Sequence, residues 1–419
     1  MTPGQIGPRV VIDPGSHALL NIGDVTMLRV CLDRLRERWP GVVAQVLTTD
    51  PDALARLCPG AVPLAAAGRY ALLDELDSGP RAASVPRSRL ASLAARVGRR
   101  LRPPARRLPW AEPELSDVRS GPAGELIGAL LGADLLLVAG RGGMADAFKE
   151  DGLAVLGLVE LGADLGVPVA MVGQGLGPAR DEQLLSRARR VLPRVGLIAV
   201  RERLHAPALL EALGVDMRRV AVTGDDAVEP ALALRQERTP EPLVGVSLRF
   251  IHYYGIGRED IQRLSEALER VGHATGGRLL ALPISRHPYE ADAEAIAAIV
   301  RSVEPGPPED TMRRAGECRV VVTATYHAGV FALSQGVPVV CVARSDYQGQ
   351  KLRGLADQFG AGCVVLELDD PDFSDRLVEQ VSIAWGEGAE LRDALAESAR
   401  RQVEAGRSAY AAVARLLPS

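Results

Sequence analysis

Short aliphatic and β-branched runs alternate with longer amphipathic patterns along most of this chain. The runs in the first half predict strands at residues 10–13, 42–47, 134–138, 169–172, 197–200 and 220–222. Those in the second half predict strands at residues 244–248, 279–282, 320–322, 337–342 and 364–366. Between the strands, apolar residues recur at helical spacing, as in the helix predicted over residues 24–39. This alternation predicts an α/β fold with a mainly parallel sheet.

A polar, proline-containing stretch at residues 235–242 separates the two halves and predicts a linker. With 419 residues and 47% hydrophobic content, the chain is long enough for two domains that each bury a core. We therefore predict an N-terminal α/β domain over residues 1–238 and a C-terminal α/β domain over residues 239–419. Two Rossmann-like domains would face each other across a cleft, with ligands at the C-terminal ends of the strands. The last helix either stays with the C-terminal domain or crosses back to the N-terminal one.

Overall charge and cysteine content limit the classes of function. A net charge of −4 and a pI near 6.0 argue against a nucleic-acid-binding protein. The five cysteines fall mostly in apolar runs, which is typical of free thiols in a reducing compartment, and no CxxC or HExxH spacing predicts a metal site. No apolar run reaches the roughly 18 residues of a membrane span, and the first residues lack the pattern of a signal peptide. These features predict a cytoplasmic protein.

One segment departs from the alternating pattern. Residues 81–107 contain nine arginines, and the whole basic insertion at residues 79–111 contains no acid. Leu93, Val97 and Leu101 share one face of an amphipathic helix predicted there. We favour a solvated helix that docks on its own domain. The alternative is peripheral contact with an anionic membrane at its inner face.

Four loops rich in glycine or hydroxyl residues follow predicted strands. They comprise residues 14–24, 140–146, 173–178 and 323–328. Glycine lets backbone N–H groups approach a ligand, and a helix that begins just beyond favours negative charge, so the loops predict an anionic ligand. A single loop of this kind is more often a turn than a site. None has the GxGxxG or GxxxxGK spacing of nucleotide-binding loops, which disfavours an NAD or ATP enzyme.

Taken together and in order, six stretches of the chain resemble the polysaccharide pyruvyl transferase family. They are residues 21–24, 133–146, 167–178, 200–215, 222–225 and 327–351. The last stretch includes the sequences AGVFAL and GVPV. The resemblance covers nearly the whole chain apart from the basic insertion.

The resemblance implies a two-lobed fold like that of GT-B glycosyltransferases. It also implies a transferase that moves the enolpyruvyl group of phosphoenolpyruvate onto sugar hydroxyls, usually as a cyclic ketal, in the synthesis of cell-surface glycans. Phosphoenolpyruvate would then be the co-substrate, without a further cofactor, and the acceptor would be a glycan or glycoside, free or lipid-linked. Two positions depart from the family pattern. Thr325 stands where an arginine usually precedes the histidine by two residues, and Arg141 interrupts a glycine-rich motif.

Ketal formation from phosphoenolpyruvate needs a proton for the methylene carbon, a base for the attacking hydroxyl, and cations for the carboxylate and phosphate. His327 is the candidate general acid or base because an imidazole titrates near neutrality. A helix-capping or core histidine is the alternative at this position. Asp24 is the candidate base for the sugar hydroxyl, with a simple helix cap as the alternative.

Arg201 is the leading candidate for anion binding because it directly follows a buried strand. A guanidinium at a strand end can grip a carboxylate or phosphate at two points, and an ordinary salt bridge is the alternative. Arg141 is further expected to supply the positive charge absent at Thr325. The remaining substrate-binding candidates are Gly142, Gly143, Gln174, Gly175, Asp225, Arg249, Arg286 and Lys351.

Two other functions stay open from the sequence. A GT-B-like glycosyltransferase would use a nucleotide sugar in the same cleft. A non-catalytic, sugar-binding relative of the enzymes is the third hypothesis, and the feature that favours it is Thr325.

Overall fold

The computed structural model describes residues 7–77, 121–237, 241–249, 255–288, 292–297, 299–300 and 306–417. Within these residues, two parallel sheets with flanking helices form two α/β domains. The basic insertion predicted near residues 79–111 lies outside the described residues, and so does its amphipathic helix.

The first sheet contains strands β1 to β7. They span Arg9–Pro14, Val43–Thr48, Val62–Ala65, Leu135–Met144, Val169–Leu176, Leu197–Val200 and Val220–Val222. Their order across the sheet is β3-β2-β1-β4-β5-β6-β7, and all neighbours are parallel. The helices α1 to α8 span Ile22–Arg38, Pro51–Leu57, Ala67–Asp77, Pro122–Leu131, Lys149–Asp164, Glu182–Val191, Ala206–Ala212 and Val228–Ala233. The strand order reverses direction between β1 and β4, which is where open α/β sheets commonly bind ligands.

The second sheet contains strands β8 to β12. They span Leu243–Ser247, Arg278–Ala281, Val320–Thr323, Val339–Ala343 and Cys363–Glu367, in the order β12-β11-β10-β8-β9. The helices α9 to α14 span Arg258–Thr275, Asp292–Ala297, Pro308–Glu317, Tyr326–Ser334, Asp346–Phe359 and Phe373–Ala414. The prediction of two Rossmann-like domains is therefore confirmed.

Both faces of the first sheet are buried, as β4 shows. Leu135 and Leu137 pack on one side with residues of α1, whereas Leu136 and Val138 pack on the other with residues of α5. A strand buried on both faces appears in the sequence as a continuous apolar run, which explains why β4 was visible as one. Each fully buried leucine contributes about 1.5–3 kcal/mol relative to an exposed one.

The two domains contact each other through backbone hydrogen bonds and through the last helix. Ile22 N–H donates to the carbonyl of Ile284 at 3.0 Å, and Arg286 N–H donates to the carbonyl of Leu20 at 2.9 Å. The helix α14 begins in the core of the second domain, where Phe373 is fully buried, and ends against the first domain, where Val413 is fully buried. The start of α1 is thereby held beside the loop that follows β9.

Candidate active site

A cleft of about 200 Å³ lies between the two domains. The end of β4 and residues that follow β1 and β6 line it from the first domain. Residues that follow β8, β9 and β10 line it from the second, together with part of α13. The C-terminal strand ends of both sheets therefore converge on one space. Among the predicted residues, Arg201 and His327 both line this cleft.

Arg201 is the first residue after β6, so the end of that buried strand fixes its position. Its guanidinium Nη1 donates to Asp225 Oδ2 at 3.0 Å, and its Cζ lies 4.6 Å from the centre of the Tyr326 ring. The Nη2 end faces the glycine segments, because a β-carbon on Gly175 would collide with it. One end of the guanidinium is thus held by a carboxylate while the other faces the cleft.

His327 lies in the first turn of α12, two residues after the N-cap Thr325. Its side chain is 8% exposed, and its Nε2 lies 3.8 Å from Asp225 Oδ2 without a hydrogen-bond partner among the residues that the structure describes. The ring packs on α1 at Gly23, where a β-carbon would overlap it. Burial lowers the pKa of His327 to about 3, with further lowering by Arg201 and Lys351 and partial compensation by Asp225. The imidazole is therefore neutral at pH 7, and the expectation of a pKa near neutrality is wrong for the ligand-free protein.

Lys351 reaches the cleft from α13. Its Nζ donates to the hydroxyl of Tyr347 at 3.1 Å, and that hydroxyl donates to the carbonyl of Gly142 at 3.0 Å. Burial lowers the pKa of Lys351 to about 7, and Arg201 lowers it further, while Asp24 acts in the opposite direction. A substantial fraction of this lysine is neutral at physiological pH.

Asp24 lines the cleft from the first turn of α1. The cap of this helix is Asn21, whose side-chain oxygen accepts from the N–H groups of Gly23 at 3.0 Å and Asp24 at 3.4 Å. Asp24 is therefore not the N-cap. Its carboxylate is half-buried at the same end of α1 as the His327 ring.

Arg141 also lines the cleft, but its charge is already paired. Its guanidinium forms ion pairs with Asp151 and, at 3.4 Å, with Asp13. Both carboxylates are shared with Arg69, so two arginines and two aspartates make one buried cluster at the ends of β1 and β4. Arg141 was expected to supply the positive charge absent at Thr325. In the structure, its guanidinium is already paired with carboxylates of its own domain.

Thr325 occupies a buried hydroxyl cluster. Its Oγ1 lies 2.7 Å from Ser247 Oγ and 3.1 Å from Thr323 Oγ1, and its side chain is 1% exposed. Arg249, which follows β8, lines the cleft and pairs with Asp292 at 2.8 Å. On the second-domain side of the cleft, the charge of Arg249 is therefore already paired with a carboxylate of its own domain.

Several predicted residues lie at the edge of the cleft or away from it. Gly142 and Gly143 line it, whereas Gly175 and Asp225 lie behind Arg201. The structure does not bring Gln174 into the cleft, because its side chain is fully buried and donates to the carbonyls of Val138 and Val172. Arg286 is exposed and donates to the carbonyl of Gly306 instead, so it does not face the cleft either.

Sequence reasoning missed three aromatic residues that line the cleft, Phe148, Tyr326 and Tyr347. The ring of Tyr326 lies beneath both Arg201 and Lys351, and Tyr347 holds Lys351 by its hydroxyl. Two features of the sequence could have predicted the tyrosines. Tyr326 directly precedes His327 in the matched motif, and Tyr347 lies four residues before Lys351, on the same helix face. Asp151, which pairs with Arg141, was missed as well.

Two negative findings apply to the part of the chain that the structure describes. No helix there is long and apolar enough to cross a membrane. No group of three histidine, cysteine, aspartate or glutamate side chains is placed to hold a metal ion in those residues.

Comparison with solved structures identifies the architecture. A putative UDP-N-acetylglucosamine 2-epimerase from Listeria monocytogenes is 14% identical, with a TM-score of 0.59 over 97% of this chain and 95% of that chain. The UDP-GlcNAc 2-epimerase from Methanocaldococcus jannaschii is 12% identical, with a TM-score of 0.54 over 94% of this chain and 98% of that chain. A UGT transferase from Siraitia grosvenorii in complex with UDP is 13% identical, with a TM-score of 0.52 over 97% and 98% of the two chains. Fold and cleft together show a two-domain α/β protein with the GT-B fold.

Sequence comparison narrows this class to a family. The family profile described as polysaccharide pyruvyl transferase matches residues 21–346. The chain therefore belongs to the polysaccharide pyruvyl transferase family. The comparison with curated proteins found no match.

Proposed function

We propose that this protein transfers the enolpyruvyl group of phosphoenolpyruvate to hydroxyls of a glycan or glycoside and forms a pyruvate ketal. The observation that carries the proposal is the juxtaposition in the cleft of Arg201 and the neutral imidazole of His327 at the start of α12. A small acid with a carboxylate and a phosphate suits this arrangement. Membership in the family supports the same reaction class.

The size and charge of the cleft favour a compact anion. Its volume of about 200 Å³ is below the roughly 300–1,000 Å³ of pockets that enclose drug-sized ligands. The Nη2 end of Arg201 faces the cleft, and the N-terminus of α12 adds partial positive charge beside His327. Phosphoenolpyruvate would place its negative charge against these groups.

The neutral state of His327 fits a donor that brings its own negative charge. In the free protein, burial is the main cause of the low pKa of His327, and the charges of Arg201 and Lys351 lower it further. A bound carboxylate and phosphate would offset those charges and raise the pKa of the imidazole toward neutrality. His327 could then hold the proton that the methylene carbon of the donor receives.

The remaining proton transfers need one acidic residue, Asp24. As C3 of phosphoenolpyruvate gains a proton from His327, the oxygen of a sugar hydroxyl bonds to C2 and its proton passes to Asp24. A second hydroxyl of the same sugar then bonds to C2, and the bond from C2 to the phosphate oxygen breaks. Phosphate leaves with the proton of the second hydroxyl, and the proton on Asp24 returns through solvent to His327.

The direct test is product analysis with a panel of glycan and glycoside acceptors, lipid-linked ones included. The wild-type protein with phosphoenolpyruvate should add one carboxyethylidene group per acceptor and release one phosphate, as seen by mass spectrometry and phosphate assay. His327→Gln should slow the reaction by about 100-fold or more, because a general acid typically contributes that much.

The matched control is His273→Gln, which changes an exposed histidine in α9 of the second domain. This variant should react at the wild-type rate. Release of phosphate by His327→Gln at the wild-type rate would contradict the assigned role. Transfer of a sugar from a UDP-sugar by the wild-type protein would replace the proposed function with glycosyl transfer.

A further inference from the structure

Two consecutive carboxyl groups after β7 bind different parts of the protein. Asp225 Oδ2 accepts from Arg201 Nη1 at 3.0 Å, beside the cleft. Asp226 Oδ2 accepts from the hydroxyl of Tyr410 at 2.8 Å, and Tyr410 lies near the end of α14. Residues 223–227, which we call the Asp225 loop, therefore connect a guanidinium of the cleft to the helix that packs on both domains.

Both oxygens of Asp225 have partners in the active-site region. Oδ1 accepts from the N–H of Ala227 at 2.9 Å, and Oδ2 lies 3.8 Å from His327 Nε2 in addition to its bond with Arg201. A shift of the Asp225 loop would therefore move the carboxylate that holds the guanidinium in place.

The carboxyl group of Asp226 is enclosed between β5 and α14. Asp226 is 8% exposed. The position that a β-carbon of Gly173 would take on β5 is 3.3 Å from Asp226 Oδ2, and that of Gly406 on α14 is 3.8 Å from Oδ1. The same loop touches α14 at Gly224, where a β-carbon would overlap the side chain of Gln402. The Asp225 loop thus packs on α14 at two successive points.

The charges around Asp226 leave it without a cation of its own. The charged and titratable groups that face it are Asp225 on its own loop, Glu229 on α8, Cys31 and Arg34 on α1, and Tyr410 and Arg407 on α14. Glu229 forms ion pairs with both Arg34 and Arg407. Within the part of the chain that the structure describes, no cation forms an ion pair with Asp226. Burial raises the pKa of Asp226 to about 7, and Asp225 and Glu229 contribute to the rise, while Tyr410 and Arg34 act in the opposite direction.

We propose that Asp226 and Tyr410 are positioning residues of the active site: their hydrogen bond anchors the Asp225 loop on α14 and thereby keeps Arg201 in place for the donor. This inference rests on the proposed function, since the donor is phosphoenolpyruvate. It has a consequence for pH. An ionised Asp226 is a buried charge with only a neutral donor beside it, which is costly, so the loop should shift when this proton is lost. Donor binding should then weaken as the pH rises through neutrality.

The measurement is the dissociation constant of phosphoenolpyruvate by titration calorimetry at pH 6 and pH 8. With a pKa of about 7, only about one tenth of the protein holds the proton of Asp226 at pH 8, so this residue should weaken wild-type binding roughly tenfold. Asp226→Asn keeps an oxygen that accepts from Tyr410 and does not ionise. It should bind like wild type at pH 6 and roughly tenfold more tightly than wild type at pH 8. Lys351 also titrates in this range, but it is present in both proteins and cancels in the comparison.

The matched control is Asp33→Asn, which changes a carboxylate of α1 whose side chain is 67% exposed. This variant should follow the wild-type pH dependence. If Asp226→Asn loses as much affinity between pH 6 and pH 8 as wild type and Asp33→Asn do, the proposal is overturned. Weaker binding by Asp226→Asn at both pH values would also overturn it.

Tyr410→Phe tests the other partner of the hydrogen bond. Loss of one anchoring hydrogen bond should weaken phosphoenolpyruvate binding at pH 6 by roughly two- to tenfold. Because Tyr410 lowers the pKa of Asp226, its removal should also move the decline in affinity to higher pH, in a series from pH 6 to pH 9. A tyrosine that only fills space would weaken binding equally at every pH, and that result would contradict the positioning role.

Thermal denaturation shows that Asp226→Asn folds. Between pH 3.8, the ordinary value of the carboxyl group, and about pH 7, the folded protein holds a proton at Asp226 that the unfolded chain releases. The contribution of this residue to stability is therefore present below pH 3.8 and is lost as the pH rises to about 7. The asparagine does not suffer this loss, so the variant should melt no lower than wild type at pH 8.

These outcomes separate the inference from the function on which it rests. If the wild-type protein does not bind phosphoenolpyruvate at either pH, the proposed donor is wrong and the inference falls with it. If the wild-type protein binds it and Asp226→Asn has the wild-type pH dependence, only the positioning role is wrong.

Discussion

At the scale of single residues, the main property of the site is the way that burial sets protonation. His327 and Lys351 would both carry charge more readily in water, yet both pKa values are lowered in the cleft. The largest cause for each is removal from water, followed by the charges of neighbouring cations. The free cleft therefore holds Arg201 as a cation beside a neutral imidazole and a partly neutral lysine.

The low pKa of His327 predicts a measurable pH dependence of stability. Between pH 6.5, the ordinary value of an imidazole, and about pH 3, the unfolded chain binds a proton at this residue that the folded protein does not. The contribution of His327 to the free energy of unfolding is therefore fully present above pH 6.5 and is lost as the pH falls. At pH 5 the loss should be about 2 kcal/mol relative to pH 7.

Chemical denaturation of wild type and His327→Gln at pH 7 and pH 5 tests this value. The wild-type protein should lose about 2 kcal/mol more than the variant between the two pH values. Other titrating groups are common to both proteins and cancel in the comparison. Equal losses would mean that the imidazole already titrates normally in the folded state.

The identity of the site residues could be predicted only in part. Strand ends and glycine segments placed Arg201, His327 and Asp24 at the cleft, because the position of a residue after a strand is a local property. Whether a cation is already paired is not local. Arg141 pairs with Asp13 and Asp151, which are remote in sequence or on another element, so its commitment was invisible. The outward direction of Arg286 was equally hidden.

At the scale of elements, strand prediction succeeded where apolar runs were continuous. The strands β6 and β7 have the predicted bounds, and the helix α1 differs from its prediction by a few residues at its start. The short strand β3 was missed because Val62–Ala65 is only four residues long and contains a proline. β4 and β5 continue through glycines that predicted loops, because parallel pairing persists across a register shift near Arg141 and Gln174.

A buried charge cluster stabilises the first-domain wall of the cleft at the ends of β1 and β4. It consists of Asp13, Arg69, Arg141 and Asp151. Burial raises the pKa of Asp13, but Arg69, with His17 and Arg141, more than offsets this and leaves the pKa below its ordinary value. Asp13 accepts from Arg69 at 2.8 Å, and both side chains are fully buried. Asp13→Ala should cost about 3–5 kcal/mol because it leaves buried arginine charge without its partner.

The comparison for this prediction is Asp216→Ala. Asp216 pairs with Arg218 at 2.7 Å, but the Arg218 side chain is 89% exposed. Exposed pairs contribute little to stability, so this variant should unfold at nearly the wild-type denaturant concentration. Similar losses in the two variants would show that the buried cluster has no special role in stability.

At the scale of the whole molecule, the cleft exists because two sheets present their C-terminal strand ends to each other. The alternating pattern predicted two domains that face each other across a cleft, but it contained no information on the contacts that hold them there. That placement depends on contacts between residues far apart in sequence, such as the hydrogen bonds of Leu20 and Ile22 with the loop after β9. It also depends on α14, whose two ends pack on different domains.

The central claim is that this cleft binds phosphoenolpyruvate through cations of both domains. The most direct measurement is calorimetric titration of phosphoenolpyruvate, and separately of UDP, into wild type and Arg201→Lys. The lysine keeps a charge beside Asp225 but lacks the planar fork, so phosphoenolpyruvate should bind wild type and should bind the variant roughly tenfold more weakly or worse. UDP should not bind either protein. Binding of UDP without binding of phosphoenolpyruvate, or equal affinity of the two proteins for phosphoenolpyruvate, would contradict the account.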